Sequence, residues 1–256
     1  MKIVLYRSLN NNIQGNYYLD WLESLEEAGY KKITLFEFIF FKANYSKVVI
    51  SHTLHDLFIN DGFKYIILNF VSFLISKIVI FKIKKENQEV IIFSKNDYKD
   101  LNKKVNFFRS FNNAKIVTHT KKAKKIFIDQ NIDARWMPFG FRKEKLKKHL
   151  NARLRPIDIG FRGNLNSQWN DSQREHLIER ILNSNLELNF DISPSKNGEN
   201  FLFGEDYYSW IANCNYLINS PSAFDTVGPR FYEQMFLGAV PISIFNSYEG
   251  ILFKDK

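Results

Sequence analysis

Two carboxylates, Asp225 and Glu233, bracket the run Asp225-Thr-Val-Gly-Pro-Arg-Phe-Tyr-Glu233. Proline is tolerated in the first turn of a helix, where its missing N–H would have no partner anyway. Pro229 therefore predicts a loop that ends near Gly228 and a helix over 229–237. The backbone amides from Thr226, Val227 and Gly228 to Arg230 then gather at the positive end of that helix, which favours an anion. Arg230 adds a planar, fork-shaped donor suited to phosphate. Glu233, one turn further on, can accept from two sugar hydroxyls, and Asp225 can reach a second polyol. Such a set suits a ligand with both a diphosphate and vicinal hydroxyls, as a nucleotide sugar has. The plainer reading is a capped helix with a solvated Arg–Glu pair.

A loop and helix of this kind must be held by strands. Runs 2–6, 32–36, 47–50, 89–93, 115–118 and 134–137 are strand-like, and so are 157–161, 186–190, 215–218 and 240–244. Helical patterns fall at 16–30, 171–182, 205–213 and 229–237, with segments long enough for more. Strands alternating with helices predict parallel sheets and crossover helices. Hydrophobic periodicity lapses between Pro138 and Arg155, where charge density peaks. The expected fold is therefore α/β: two Rossmann-like lobes, 1–140 and 156–256, joined by a basic linker over 141–155.

With 256 residues, 45% of them hydrophobic, the chain can bury a real core and is not a disordered protein. A single cysteine, Cys214, excludes a disulfide framework and a multi-thiolate metal site, and predicts an inert core thiol. Met1-Lys-Ile-Val-Leu-Tyr6 is too short an apolar run for a secretory signal. Residues 121–155 carry twelve basic and three acidic side chains, which accounts for the whole net charge of +9. That run is a solvated face or an electrostatic footprint for nucleic acid, with Trp136, Phe139 and Phe141 as stacking groups. Segment 65–83 is the most apolar, but Asn69, Ser72, Ser76, Lys77 and Lys82 interrupt it. A core helix fits it better than a span, and so does a helix lying on a membrane surface, flanked by Lys77, Lys82, Lys84 and Lys85. His52 and His55 have metal-ligand spacing but no third ligand nearby. No G-x-G-x-x-G follows a strand and no P-loop occurs.

At Asp225-x7-Glu233 the sequence resembles the E-x7-E motif of the GT-B glycosyltransferases, above all the family 4 and group 1 enzymes, with Gly228 on the motif's internal glycine. Met235, Gly238 and Pro241-Ile242 resemble the continuation EAMACGxPV, with one extra residue between the glycine and the proline. Asp in place of the first Glu, and the form Arg230-Phe-Tyr-Glu233, are closer to group 1 variants resembling spore-coat maturation transferases. Gly238-Ala-Val-Pro-Ile242 is also similar to exostosin-like transferases. Upstream, 207–222 is similar to the family's helix, strand and Pro-Ser turn. Asp158-Ile-Gly-Phe-Arg162-Gly163-Asn-Leu165 resembles the strand and glycine turn that open its nucleotide-binding lobe. The family's downstream Lys-Gly is missing; Arg162 and Arg174 are the basic groups nearby, and Arg174 better matches the group 1 variants. In the first lobe, His52 stands where these enzymes carry a histidine loop. Residues 115–120 look like the family's last lobe strand and 135–141 like its PxGV. Only Gly15 remains of its glycine-rich acceptor loop.

The resemblance implies a metal-independent GT-B glycosyltransferase with a nucleotide sugar as donor and no further cofactor; no Asp-x-Asp, the mark of metal-dependent GT-A enzymes, occurs. It implies a glycan or lipid-linked acceptor in bacterial surface polysaccharide synthesis. It also implies a cytoplasmic setting and peripheral contact with an anionic membrane. Donor contacts would come from Arg162, Gly163, Arg174, Thr226, Val227, Gly228, Arg230 and Glu233, and catalytic roles fall to His52, Asp225 and Glu233. Further βα units would follow strand 240–244, so the second lobe is expected to be short. The competing expectation is a nucleic-acid-binding module that uses residues 121–155.

Overall fold

Among the described residues strands and helices alternate, and every strand pairs in parallel with its neighbours. The structure, a computed structural model, describes residues 1–6, 16–40, 45–51, 66–85, 88–94, 97, 100–150, 154–164, 173–195, 202–219 and 227–243. Residues 15–17 apart, the chain divides between Met137 and Pro138 into two compact units.

In the first unit, β1 (Lys2–Tyr6), β2 (Lys31–Thr34), β3 (Lys47–Ile50), β4 (Glu89–Phe93), β5 (Ala114–Thr118) and β6 (Ala134–Trp136) form one sheet in the order β2-β1-β3-β4-β5-β6. Its described helices are α1 (Asn16–Glu27), α2 (Leu35–Phe40), α3 (Ile66–Lys85), α4 (Leu101–Arg109) and α5 (Lys121–Asp129). Ile3, Val4 and Leu5 are consecutive and all fully buried, as expected of a parallel strand covered on both faces. On one face Trp21, Leu22 and Leu25 of α1 pack with Val4, Val49 and Phe93. Because β1 connects outward to β2 while β3 lies on its other side, the strand order reverses between β1 and β3. Ligands of open α/β sheets bind at the carboxyl edge of such a point.

In the second unit, β7 (Ile157–Asn164), β8 (Phe190–Ser195), β9 (Cys214–Asn219) and β10 (Val240–Ser243) pair in the order β10-β9-β7-β8. Helices α6 (Lys143–Lys147), α7 (Gln173–Leu182), α8 (Gly204–Ala212) and α9 (Pro229–Phe236) accompany them. Here the reversal lies between β7 and β9. Gly160 of β7 packs under α8 so closely that an added Cβ would stand 2.7 Å from Cys214 Sγ and 2.9 Å from both Leu217 and Trp210. The α/β class expected from the sequence, with two parallel sheets, is the fold of this chain.

Three segments differ from the sequence reading or add to it. Residues 35–40 form a helix instead of continuing strand 32–36. The reason is a capping box: the Thr34 amide and hydroxyl donate to Glu37 Oε2 at 2.7 and 2.9 Å, and the Glu37 amide donates to Thr34 Oγ1 at 3.3 Å. The strand expected at 186–190 begins only at Phe190; Leu186 and Leu188 are exposed. It runs on through Pro194, which an edge strand accommodates. Finally, residues of the basic segment 141–155 are built into the second unit. Leu146 is fully buried among Tyr208, Trp210 and Leu237, and Phe141 lies 5.2 Å from the Phe236 ring. Arg155 donates from Nη1 to the Cys214 carbonyl at 2.7 Å and from Nη2 to the Leu237 carbonyl at 2.6 Å.

Candidate functional site

Helix α9 opens on Gly228, whose φ of −74° and ψ of 166° leave it extended. Pro229 at the first helical position contributes no N–H. Val227 is buried just before the turn. No acidic residue lies in the first turn itself, where the positive end of the helix dipole favours an anion.

Arg230, half-buried, donates from Nε to the Tyr207 hydroxyl at 3.1 Å, and its guanidinium stands 5.7 Å from the centre of the Tyr207 ring. The same hydroxyl donates to Glu233 Oε2 at 3.2 Å. Burial pushes the Tyr207 pKa up, and Glu233 adds to this against the opposing pull of Arg230. The phenol therefore stays protonated and acts as a donor to Glu233 while accepting from Arg230. Glu233 itself is only 5% exposed. Gly163, near the carboxyl end of β7, completes the arrangement: a Cβ there would come within 3.4 Å of Arg230 Nη1 and 3.2 Å of the Phe161 ring. The missing side chain lets the guanidinium lie over the strand end, beside the β7–β9 reversal.

Arg162, two residues from the same strand end, is held by Asp191. Its Nη2 donates to both carboxylate oxygens at 3.0 and 2.7 Å, and its guanidinium stands 5.4 Å from the Trp210 ring centre. Trp210 Nε1 and Ser193 Oγ also donate to Asp191, at 2.8 and 3.2 Å. Burial raises the Asp191 carboxyl, but the bonds from Arg162 and Trp210 outweigh it and the net pKa is below the ordinary value. A carboxyl with a depressed folded-state pKa stabilises the fold fully above its unfolded pKa, and this is lost as pH falls through the folded value. Thermal melts should therefore fall more steeply between about pH 5 and about pH 3 in the wild type than in Asp191→Asn, aspartate titrating ordinarily near 3.9.

The structure thus brings together Gly163, Val227, Gly228, Arg230 and Glu233. It pairs Arg162 with Asp191. Arg174 lies on α7, whose first side chains are outside those described, and His52, Asp225 and Thr226 lie outside the described residues. His52 follows β3, one of the two strands at the reversal of the first sheet. The sequence reading missed Tyr207, Asp191 and Trp210. Their contacts run between elements, from β8 to α8 and from α8 to α9, and no fixed spacing announces them. Cys214 is buried and its thiol donates to the Trp210 carbonyl at 3.2 Å; burial first, then the Asp191 charge, push its pKa up to about 12. Of the three aromatics that could have formed a stacking platform, Trp136 donates to the His119 carbonyl at 3.2 Å and Phe141 packs on Phe236. Among the described residues no group of three or more His, Cys, Asp or Glu could hold a metal ion.

At the carboxyl edge of the first sheet lies a second polar cluster. The buried Asp97 carboxylate accepts from the hydroxyls of Ser94 and Thr118 and pairs with the buried Lys104 ammonium at 3.8 Å. His119 donates from Nδ1 to the Met137 carbonyl at 2.8 Å.

No protein-family model matches the chain, and no curated protein does. Among solved structures, Anabaena HepE, crystallised in complex with UDP, is similar with a TM-score of 0.50 at 11% identity. The similarity covers 95% of this chain and 80% of HepE. The likeness is one of fold.

Proposed function

We propose that this protein is a glycosyltransferase that takes its sugar from a nucleotide-sugar donor and holds the nucleotide on the second unit. The observation that carries this reading is the Arg230–Tyr207–Glu233 chain at the amino end of α9. A cationic fork and helix amides suit a diphosphate, and a carboxylate one turn away suits the hydroxyls of a ribose or sugar. The position supports it too, since the strand order of the sheet reverses there. HepE, of similar fold, was crystallised with UDP, which makes uridine nucleotides the first to test.

In this reading Arg230 and the α9 amides stabilise the charge that grows on the departing diphosphate, in a site where the donors are already in place. Gly163 gives the guanidinium room, and Tyr207 fixes its angle. Glu233 orients the donor through its hydroxyls, while Asp225 is assigned to the transferred sugar and Arg174 to the phosphates; His52, on the first unit, is assigned to the acceptor side or the donor sugar. The charge work is placed on the helix and Arg230 rather than on a metal ion, in the manner of GT-B enzymes. A glycan or lipid-linked acceptor, as in bacterial surface polysaccharide synthesis, completes the proposal.

The test is thermal stabilisation by nucleoside diphosphates and nucleotide sugars, followed by a transfer assay. A ligand at a hundred times its Kd should stabilise the native state by about 2.7 kcal/mol. Glu233→Ala should lose most of that stabilisation together with transfer. The proposal fails if no nucleotide raises the melting temperature, or if Glu233→Ala transfers sugar as the wild type does.

A further inference from the structure

Among the described residues no helix is long and apolar enough to cross a membrane, and the last turns of α3 pack into the fold through Val79 and Ile83, both buried. Ile83 forms part of the floor of a cleft of about 110 Å³ in the first unit. Val90 of β4, 2% exposed, and Phe111, just past α4 and 7% exposed, complete that floor. Bulk water takes about 30 Å³ per molecule, so the cleft has room for roughly four waters, or for the rim of one sugar ring. Two further lining residues, Gln88 and Asn113, come directly before β4 and β5. The cleft therefore lies at the amino edge of the sheet, at the other end of the strands from the carboxyl edge where open α/β sheets bind their substrates.

Above the apolar floor the lining is polar and nearly neutral. Gln88, Asn112 and Asn113 bring carboxamides, each of which donates and accepts, and Ser110 brings a hydroxyl that does the same. Lys84 is the one charged residue among those described in the lining. Its ammonium stands 5.5 Å from the Phe111 ring centre, and it belongs to the last turn of α3, where the negative end of the helix dipole offsets a cation. No described carboxylate lines the cleft. Glu89, between two lining residues in sequence, is taken up by Lys115 and Lys47 at 2.9 and 3.1 Å.

We infer that this cleft at the amino edge of the first sheet is a binding site for a neutral sugar ring. An apolar floor with a few convergent polar groups is the usual form of a small-molecule site. The chemistry of the lining selects the ligand. A metal ion would find no carboxylate, and an anion would find a single cation already offset by its own helix. Carboxamides and a hydroxyl, which give and take protons alike, match groups that do both, and sugar hydroxyls do both. The apolar floor suits the C–H face of the ring. Lying at the far end of the strands, the cleft holds a glycan without presenting it for reaction, so it is a docking point and not an acceptor subsite. The inference uses no residue of the second unit and stands apart from the sugar-transfer reading.

The test is saturation-transfer difference NMR on the full chain with glucose, galactose and N-acetylglucosamine, with sodium glucuronate as the charged counterpart, each repeated in excess UDP. At least one neutral sugar should give a saturable signal with a Kd on the order of millimolar, as a few neutral hydrogen bonds allow. Glucuronate should bind more weakly, and UDP should displace neither. Asn112→Ala with Asn113→Ala should weaken binding about tenfold, the loss expected for two neutral hydrogen bonds. Both positions are exposed, so the melting temperature should stay close to the wild type; if it falls, Ser110→Ala takes their place. Glu233→Ala should bind the sugar as the wild type does, so a chain that binds sugar here but no nucleotide upholds this inference and sinks the other. The inference is overturned if no neutral sugar saturates, if glucuronate binds better than they do, if UDP displaces them, or if the asparagine variant binds as the wild type does.

Discussion

Replacing Arg230 by alanine should lower kcat/KM for the nucleotide sugar by about 10²–10³-fold, roughly 3–4 kcal/mol. The reasoning starts from what fixes the guanidinium. Its Nε is bonded to the Tyr207 hydroxyl, its plane lies near the Tyr207 ring, and Nη1 passes over the bare Cα of Gly163. Among the described residues, no hydrogen-bond acceptor is assigned to the Nη nitrogens. A donor oriented before the ligand arrives loses nothing to reorganisation when charge develops. Arg230→Lys keeps the charge but not the fork, because an ammonium cannot serve Tyr207 and a phosphate with one fixed geometry. It should fall between the wild type and Arg230→Ala. Tyr207→Phe separates charge from orientation: Arg230 stays charged, while Glu233 and Nε both lose a partner. A residue acting only in folding would lower stability in all three variants and leave the order of their rates unexplained. Steady-state kinetics on the three, beside their melting temperatures, is the measurement. Equal activity in Arg230→Ala and the wild type would contradict the role.

Asp97→Ala should destabilise the first unit by about 3–5 kcal/mol, because it removes the counter-ion of a buried ammonium. Lys104 and Asp97 side chains are only 3% and 2% exposed, so water cannot take over. The converse change is milder. In Lys104→Met the carboxylate keeps the hydroxyls of Ser94 and Thr118, and methionine fills much of the lysine's space. The two substitutions on one ion pair should therefore differ clearly in urea midpoint, with the aspartate the costlier loss. Equal midpoints would mean that the cluster is held by packing and not by charge.

The parts of this molecule that were legible in the sequence are those whose information is local. Pro229 and the residues around it announce α9 and place Arg230 and Glu233 one turn apart on it, and alternation of apolar runs announces the parallel sheets. Other features had a local signal that was outvoted. Thr34 and Glu37 spell a capping box, but the apolar run around Phe36 reads as a strand. Leu186 and Leu188 alternate like a strand, yet β8 begins after them, because pairing with β7 is set by Asp191 to Ser195 opposite Gly160 to Asn164. Beyond reach altogether were contacts made by tertiary assembly. Tyr207 lies 26 residues from Glu233, and nothing in either segment points to the other. Arg162, expected among the donor contacts, is bonded to Asp191 across 29 residues by the same kind of long-range pairing.

The anchoring of Leu146 and Arg155 has a practical side. A recombinant fragment that began at Ile157, the first residue of β7, would look like a tidy second domain by strand boundaries. It would lack the side chain that fills the space between Tyr208 and Leu237, and the guanidinium that ties the Leu237 carbonyl, just past α9, to the start of β9. The helix presenting Arg230 would then be loose at its tail. Proteolytic dissection or domain exchange should therefore cut ahead of Pro138, even though the charge pattern advertises residues 141–155 as the hinge.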